Sequence, residues 1–366
     1  MTQERLIVIG PLPPPHHGVT VSTSLVLANP ILRDRFDVDH VDTSDHRSGG
    51  NIGGWDLTNV RLGLLAVLRL ARKLRGRPGV VYLPLSQSTP GLLRDSIFVF
   101  AASVRRSKVA AHLRGSEFGD YYRGAHPIMQ RWIRATLARV DSVAVMAESL
   151  KVVFEGLVSA ERITVVANGT PDFEPKSPVQ RDPEHVLFLS HLRQRKGVIE
   201  AVEAALLVLP SRPSTRFTFA GDWESPELEL ALRQRAGTAN GRIEFRGPVS
   251  GAEKDQLLGS AAVLLFPPVE PEGHPRVVLE AMAVGLAIVT TDRGAISETV
   301  VNGDGGFVLG DPVPRELADR VLTLLADTEL RERMGRRARA RYLERFTQDR
   351  ADRRLADWLS SVAESI

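Results

Sequence analysis

Two glutamates, Glu272 and Glu280, stand eight positions apart with Gly273 and Pro275 between them. Carboxylates share a proton, bind a metal or accept hydrogen bonds from hydroxyls, and the elements that carry them decide which. The apolar run 262–266 reads as a buried strand, the Pro- and Gly-rich stretch after it as a loop, and Pro275 as the first turn of a helix ended by Gly285. A second strand is expected at 286–290. Strand, loop, helix and strand in that order make a parallel βαβ unit, which brings the loop and the helix start to the carboxyl ends of the strands, where open α/β sheets bind ligands. Glu280 then falls one and a half turns into the helix, about 10 Å along the axis from Glu272. That is too far for a shared proton or a single metal, and it suits hydroxyls at two ends of an extended ligand. The unpaired N–H groups at the helix start favour phosphate in the middle. A nucleoside diphosphate sugar fits this layout. The competing account is a solvated loop and helix face. The flanking glycine, the run Glu280-Ala281-Met282-Ala283-Val284-Gly285 and the βαβ context favour the ligand.

This pattern resembles the E-x7-E signature of retaining glycosyltransferases of the GT-B fold, glycosyltransferase family 4. The resemblance implies that Glu280 holds the ribose hydroxyls, while Glu272 and the backbone of Gly273, His274 and Pro275 hold the donor sugar. The stretch Ser190-His191-Leu192-Arg193-Gln194-Arg195-Lys196-Gly197 is similar to the family's G-R-L-x-x-x-K-G. Leu192, Lys196 and Gly197 match, and Ser190 and His191 depart from it. Lys196 is thereby the diphosphate lysine, and either His191 or Arg193 supplies a second cation. The loop 10–20, stiffened by prolines, resembles the family's N-terminal acceptor loop. Gly18 would approach the donor phosphate, and His16 and His17 either touch the acceptor or are surface residues. The turn Ala111-His112-Leu113-Arg114-Gly115 resembles the family's H-x-H-G, from which a histidine reaches the donor sugar. His112 matches the first histidine, with a buried structural role as its alternative. Arg114 replaces the second and is placed with the acceptor. Val166-Ala167-Asn168-Gly169 resembles the family's strand-to-linker N-G turn. Phe245-Arg246-Gly247-Pro248-Val249 resembles its F-x-G-x-V loop, so Gly247 and Val249 would lie beside the base. The catalytic set implied is His112, Lys196 and Glu272.

Short apolar runs alternate with helical stretches at 6–9, 36–41, 80–83, 108–112, 142–146 and 163–166, and again at 185–189, 216–220, 242–245, 262–266, 286–290 and 307–309. Two Rossmann-like doubly wound α/β domains follow: an N-terminal domain at 1–172 and a C-terminal one at 185–345. Between them, 173–184 is a proline-rich linker. The helix 346–366, with Leu355, Trp358, Leu359 and Val362 at helical spacing, is expected to cross back onto the N-terminal domain, as the GT-B resemblance implies, with the two domains facing a central cleft.

The chain has 366 residues, 43% hydrophobic and 25% charged, enough for two cores. No run nears 18 apolar residues and the N-terminus enters a strand, so neither a membrane span nor a signal peptide is expected. The absence of cysteine excludes disulfides and thiolate chemistry and agrees with a cytoplasmic protein. Between Arg61 and Arg139 there are 15 Lys or Arg against three acids, within a whole-chain balance of +3. The segment 61–77 reads either as a basic amphipathic helix resting on anionic lipid or as a crossover helix burying Leu64, Leu65, Leu68 and Leu74. No nucleic-acid motif accompanies the charge. Neither G-x-G-x-x-G after the first strand nor a P-loop is present. Asp37 and Asp39 form a D-x-D, which holds a metal-bound diphosphate in other glycosyltransferases. Here it lies in an alternating run that reads as the solvent face of a strand. The resemblance implies a retaining, metal-independent sugar transferase without cofactor, passing a sugar from a nucleotide diphosphate sugar to a hydroxyl of a glycan or lipid-linked acceptor in cell-surface polysaccharide or glycolipid synthesis, and the basic segment places it at the inner face of the membrane. The alternatives are a nucleotide-sugar epimerase and a catalytically silent sugar-nucleotide binder.

Overall fold

The computed structural model describes residues 3–14, 18–44, 57–75, 78–173 and 180–365. The chain divides into two compact units, residues 1–167 with 349–366 and residues 168–348.

The first unit holds β1 (Glu4–Gly10), β2 (Phe36–Asp42), β3 (Val80–Leu85), β4 (Lys108–Leu113), β5 (Ser142–Val145) and β6 (Ile163–Val165). They form one sheet in the order β2-β1-β3-β4-β5-β6, with every pairing parallel. The second unit holds β7 (His185–Leu189), β8 (Arg216–Ala220), β9 (Ile243–Arg246), β10 (Val263–Phe266), β11 (Ala287–Thr291) and β12 (Gly306–Leu309). Its order is β12-β11-β10-β7-β8-β9, again parallel throughout. Central strands such as β7 and β10 are buried along their whole length, as expected when helices cover both faces of a parallel sheet. In the second sheet the chain runs outward from β7 to β9 and then returns to place β10 on the other side of β7. The order reverses between β7 and β10, so the loops leaving these two neighbours diverge at the carboxyl end and open a crevice.

Three helices end the chain: Pro314–Ala326, Thr328–Arg345 and Gln348–Glu364. The last buries Leu355, Trp358, Leu359 and Val362 in the core of the first unit, against Leu6, Val8 and Tyr82. The division at Ala167 places residues 168–172 with the second unit rather than the first. Thr170 donates its N–H to the Phe346 carbonyl at 3.1 Å, and the Tyr342 hydroxyl donates to the Thr170 carbonyl at 2.9 Å. Residues 174–179 of the expected linker lie outside the described residues.

The basic segment forms the helix Leu57–Lys73. It buries Ala66, Leu70 and Leu74, which share one stripe at four-residue spacing, and leaves Leu65 and Leu68 exposed. The set expected to be buried is corrected accordingly; the Leu64 side chain is outside the described residues. In the D-x-D strand, Asp39 pairs with Arg5 at 2.6 Å and Lys73 at 2.5 Å, and these two cations hold its carboxyl low against the opposing effect of burial. The aspartates are thus strand surface groups, one of them neutralised by neighbours.

Candidate functional site

Lys196 and Glu272 are 76 positions apart and form an ion pair, with side chains only 16% and 12% exposed. The sheet order is the reason. Lys196 ends a short 3-10 turn (Gln194–Lys196) in the loop after β7, and Glu272 lies in the loop after β10. The two strands are neighbours at the reversal point, so both loops must rise side by side.

Backbone contacts lock the two loops together. The N–H groups of Val269 and Glu270 donate to the Arg195 carbonyl at 3.1 and 3.3 Å. Gly197 adopts φ +77, and a Cβ there would collide with the Pro267 carbonyl, so only glycine permits this approach. On the opposite side the Glu272 loop meets the loop after β11. Ala295 donates its N–H to the Glu272 carbonyl at 3.0 Å, and Gly294, at φ +64, leaves no room for a side chain against the same carbonyl. Thr290 and Thr291 hydroxyls donate to the carbonyls of Phe266 and Pro268 at 2.6 and 2.5 Å. Glu272 is therefore held on a loop tied at both flanks.

His274 is 6% exposed, and its imidazole lies against Phe346 with ring centroids 5.3 Å apart. Asn168 grips it twice: the backbone N–H donates to Nδ1 at 3.1 Å and the side-chain amide donates to the His274 carbonyl at 3.1 Å. The proline then opens the helix Arg276–Ala283, with Pro275 at the cap position and offering no side-chain cap of its own. Gly285, at φ +68, closes it. Glu280 lies on this helix and is 18% exposed. Its Oε1 accepts from Lys254 Nζ at 2.8 Å, and Lys254 comes from the helix Gly251–Ser260 that follows β9. Each glutamate of the pair thus faces its own lysine.

The remaining expected donor residues are placed as follows. His191 lies 3.6 Å from Asp222 and is partly exposed. Burial, and next the charge of Arg193, hold its imidazole below the usual histidine range, with Asp222 opposing. Arg193 is exposed in the same loop. Gly247 is exposed, and its carbonyl accepts the N–H of Gly221 at 3.1 Å; Val249 is half-buried just before the helix carrying Lys254. In the first unit Gly18 begins the helix Gly18–Ala28, and a Cβ there would touch nothing. His16 and His17 lie outside the described residues.

His112 lies in the interior of the first unit. It is 0% exposed, in edge-on contact with Tyr82 and with Trp358 of the C-terminal helix at centroid distances of 6.1 and 5.7 Å. Burial, and next the charge of Arg114, push its imidazole well below the usual range, with the Val166 carbonyl opposing. The neutral ring is packed between Tyr82 and Trp358 inside the core of the first unit. Arg114 is partly buried and donates to the Tyr82 hydroxyl at 2.9 Å, so it braces the same cluster. Sequence reasoning also left Asn168 and Lys254 without roles. The N-G turn marked Asn168 as notable, whereas Lys254 is one charge on an amphipathic helix and carries no local signal.

Residues 170–341 match the family described as Glycosyl transferases group 1, nearly all of the second unit and a little under half of the chain. Glycogen synthase of Mycobacterium tuberculosis is 27% identical over 319 residues, 83% of this chain and 75% of that protein. Phosphatidyl-myo-inositol mannosyltransferase of Mycolicibacterium smegmatis is 30% identical over 152 residues, 41% of this chain and 38% of that protein. Among solved structures, HepE of Anabaena in complex with UDP superimposes with a TM-score of 0.73 at 19% identity, over 98% of this chain and 100% of that one. The fold is accordingly GT-B, with two parallel α/β units. Along nearly its whole length, the second unit resembles the group 1 glycosyltransferases.

Proposed function

We propose that this chain is a retaining, metal-independent glycosyltransferase of family 4, which moves a sugar from a nucleotide diphosphate to a hydroxyl of a glycan or lipid-linked acceptor in polysaccharide or glycolipid synthesis. The observation that carries this reading is the Lys196–Glu272 pair at the strand-order reversal of the second sheet. A cation fixed beside a carboxylate suits a donor whose diphosphate and sugar lie side by side. Lys196 and the N-terminal dipole of the helix Arg276–Ala283 stabilise charge on the departing diphosphate. Glu272 and the backbone of Gly273, His274 and Pro275 hold the sugar, and Glu280 holds the ribose. The diphosphate oxygen takes the acceptor's proton as the bond to the sugar forms on the same face. Arg193 is the better second cation, because burial and the Arg193 charge disfavour the charged form of His191. His191 then serves as a hydrogen-bonding group.

The acceptor belongs to the first unit, whose surface is basic. The helices Leu57–Lys73 and Thr89–Val104 expose Leu65, Leu68, Ile97 and Val104 beside Arg69, Arg72, Arg105 and Arg106. Apolar side chains among cations suit peripheral contact with anionic lipid on the cytoplasmic side. Among the described residues, no helix is long and apolar enough to cross a membrane.

The test is transfer by the full chain from a panel of nucleotide sugars to lipid extracts, with chelator present throughout. The expected result is release of nucleoside diphosphate and a product that keeps the donor's anomeric configuration, read by NMR. An inverted product, or strict dependence on added Mg²⁺ or Mn²⁺, would overturn it.

A further inference from the structure

We infer that Lys254 is a positioning residue for ribose recognition: it fixes the Glu280 carboxylate so that one oxygen is anchored and the other is presented to the sugar of the nucleoside. This inference rests on the donor site proposed above and adds a residue to it.

Three observations carry it. First, Lys254 Nζ donates to Oε1 of Glu280 at 2.8 Å, with the two side chains 30% and 18% exposed. Oε2 has no hydrogen-bond partner among the described residues. Second, Lys254 comes from a different element, the helix Gly251–Ser260, whose first turn follows the Gly247-Pro248-Val249 loop. The contact therefore joins the loop expected beside the base to the carboxylate expected at the ribose. Third, Glu280 has three side-chain torsions to fix, and a carboxylate that accepts hydrogen bonds from two vicinal hydroxyls must hold its plane as well as its position. A lysine bonded to one oxygen removes that freedom before the ligand arrives, so less ordering opposes binding. A neutral donor in its place would leave a half-buried carboxylate without its counter-charge, although glutamate could still bond the ligand.

This arrangement parallels Lys196 and Glu272 with a different consequence. Lys196 is itself expected to contact phosphate, so its loss removes a ligand contact. Lys254 acts through Glu280, so its loss should weaken discrimination at the ribose most of all.

The experiment titrates the full chain with UDP, ADP and GDP and with their 2′-deoxy counterparts by calorimetry, for the wild type and for Lys254→Met and Lys254→Arg. The wild type should prefer the ribonucleotide about 10-fold or more, the size of one hydrogen bond to a charged group. Lys254→Met should bind the ribonucleotide more weakly and keep a preference of only about 2-fold to 3-fold. Lys254→Arg should restore most of the preference. A purely structural role would weaken ribo- and deoxynucleotides equally and leave the preference intact, which contradicts the inference, as would tighter binding by Lys254→Met. If no nucleotide binds the wild type, the donor-site reading itself fails. If the wild type binds and discriminates while Lys254→Met discriminates equally, only the role of Lys254 falls.

Discussion

The two units share a six-stranded parallel sheet with a reversal of strand order beside the first strand, yet they treat histidines and cations at the strand ends in opposite ways. In the second unit the loops leaving β7 and β10 are stitched backbone to backbone, and the charges they carry, Lys196 and Glu272, meet on the loops themselves. In the first unit His112, at the end of β4, turns inward beneath Trp358, and Arg114 braces Tyr82 beside it. The same layout therefore does not fix which polar residue faces a ligand. What decides is the cover above it: the helix Gln348–Glu364 packs its apolar face onto the first unit's core and takes in the imidazole, whereas Lys196 and Glu272 lie on loops beyond the strand ends.

The largest effects expected from this contrast come from one substitution in each unit. Lys196→Ala should lower kcat/KM by about 10²-fold to 10³-fold, as for removal of a preorganised group that stabilises charge in the transition state, and should also lower the unfolding temperature, because Glu272 loses its counter-charge. His112→Ala should act on stability alone. It opens a cavity beside Tyr82 and Trp358 and should reduce stability by about 2 to 4 kcal/mol, while kcat/KM per folded molecule stays within about 3-fold of wild type. Thermal unfolding and steady-state rates on both variants separate the cases. A stable, inactive His112→Ala would return this histidine to the reaction and dissolve the contrast.

A smaller effect is expected at the basic surface of the first unit. The full chain should co-sediment with vesicles of anionic lipid at 0.1 M salt and not with neutral ones, since each Lys or Arg near such a surface contributes about 1 kcal/mol. Binding should fade as the Debye length falls to about 3 Å at 1 M salt. Equal retention on neutral vesicles, or none on anionic ones at low salt, would leave Leu65 and Leu68 as incidental surface residues.

The fold was legible because the central parallel strands, covered on both faces, are apolar runs, while the edge strand β2 shows the alternation of a strand with one solvent face. The twelve expected runs lie on the twelve strands of the described residues, within two residues at each end. The proposed donor residues stood out for a related reason: Pro275, Gly197 and Gly285 mark backbone that must turn or approach closely, and such constraints survive in sequence. The inward turn of His112 did not show, because it depends on Trp358, 246 positions away, and a strand-end histidine looks alike in either setting. Lys254 was hidden likewise. Its meaning lies in a contact with Glu280 across two helices, and nothing in its own neighbourhood records that partner.

The central claim is that the second unit binds a nucleoside diphosphate through the two glutamates and Lys196. Calorimetric titration of the full chain with UDP, ADP and GDP, repeated on Glu280→Gln, tests it most directly. The account predicts saturable binding of at least one nucleotide by the wild type and a loss of about 1.5 to 3 kcal/mol in Glu280→Gln, the range for a hydrogen bond to a charged group. Unchanged affinity in Glu280→Gln, or no binding of any nucleotide by the wild type, would contradict it.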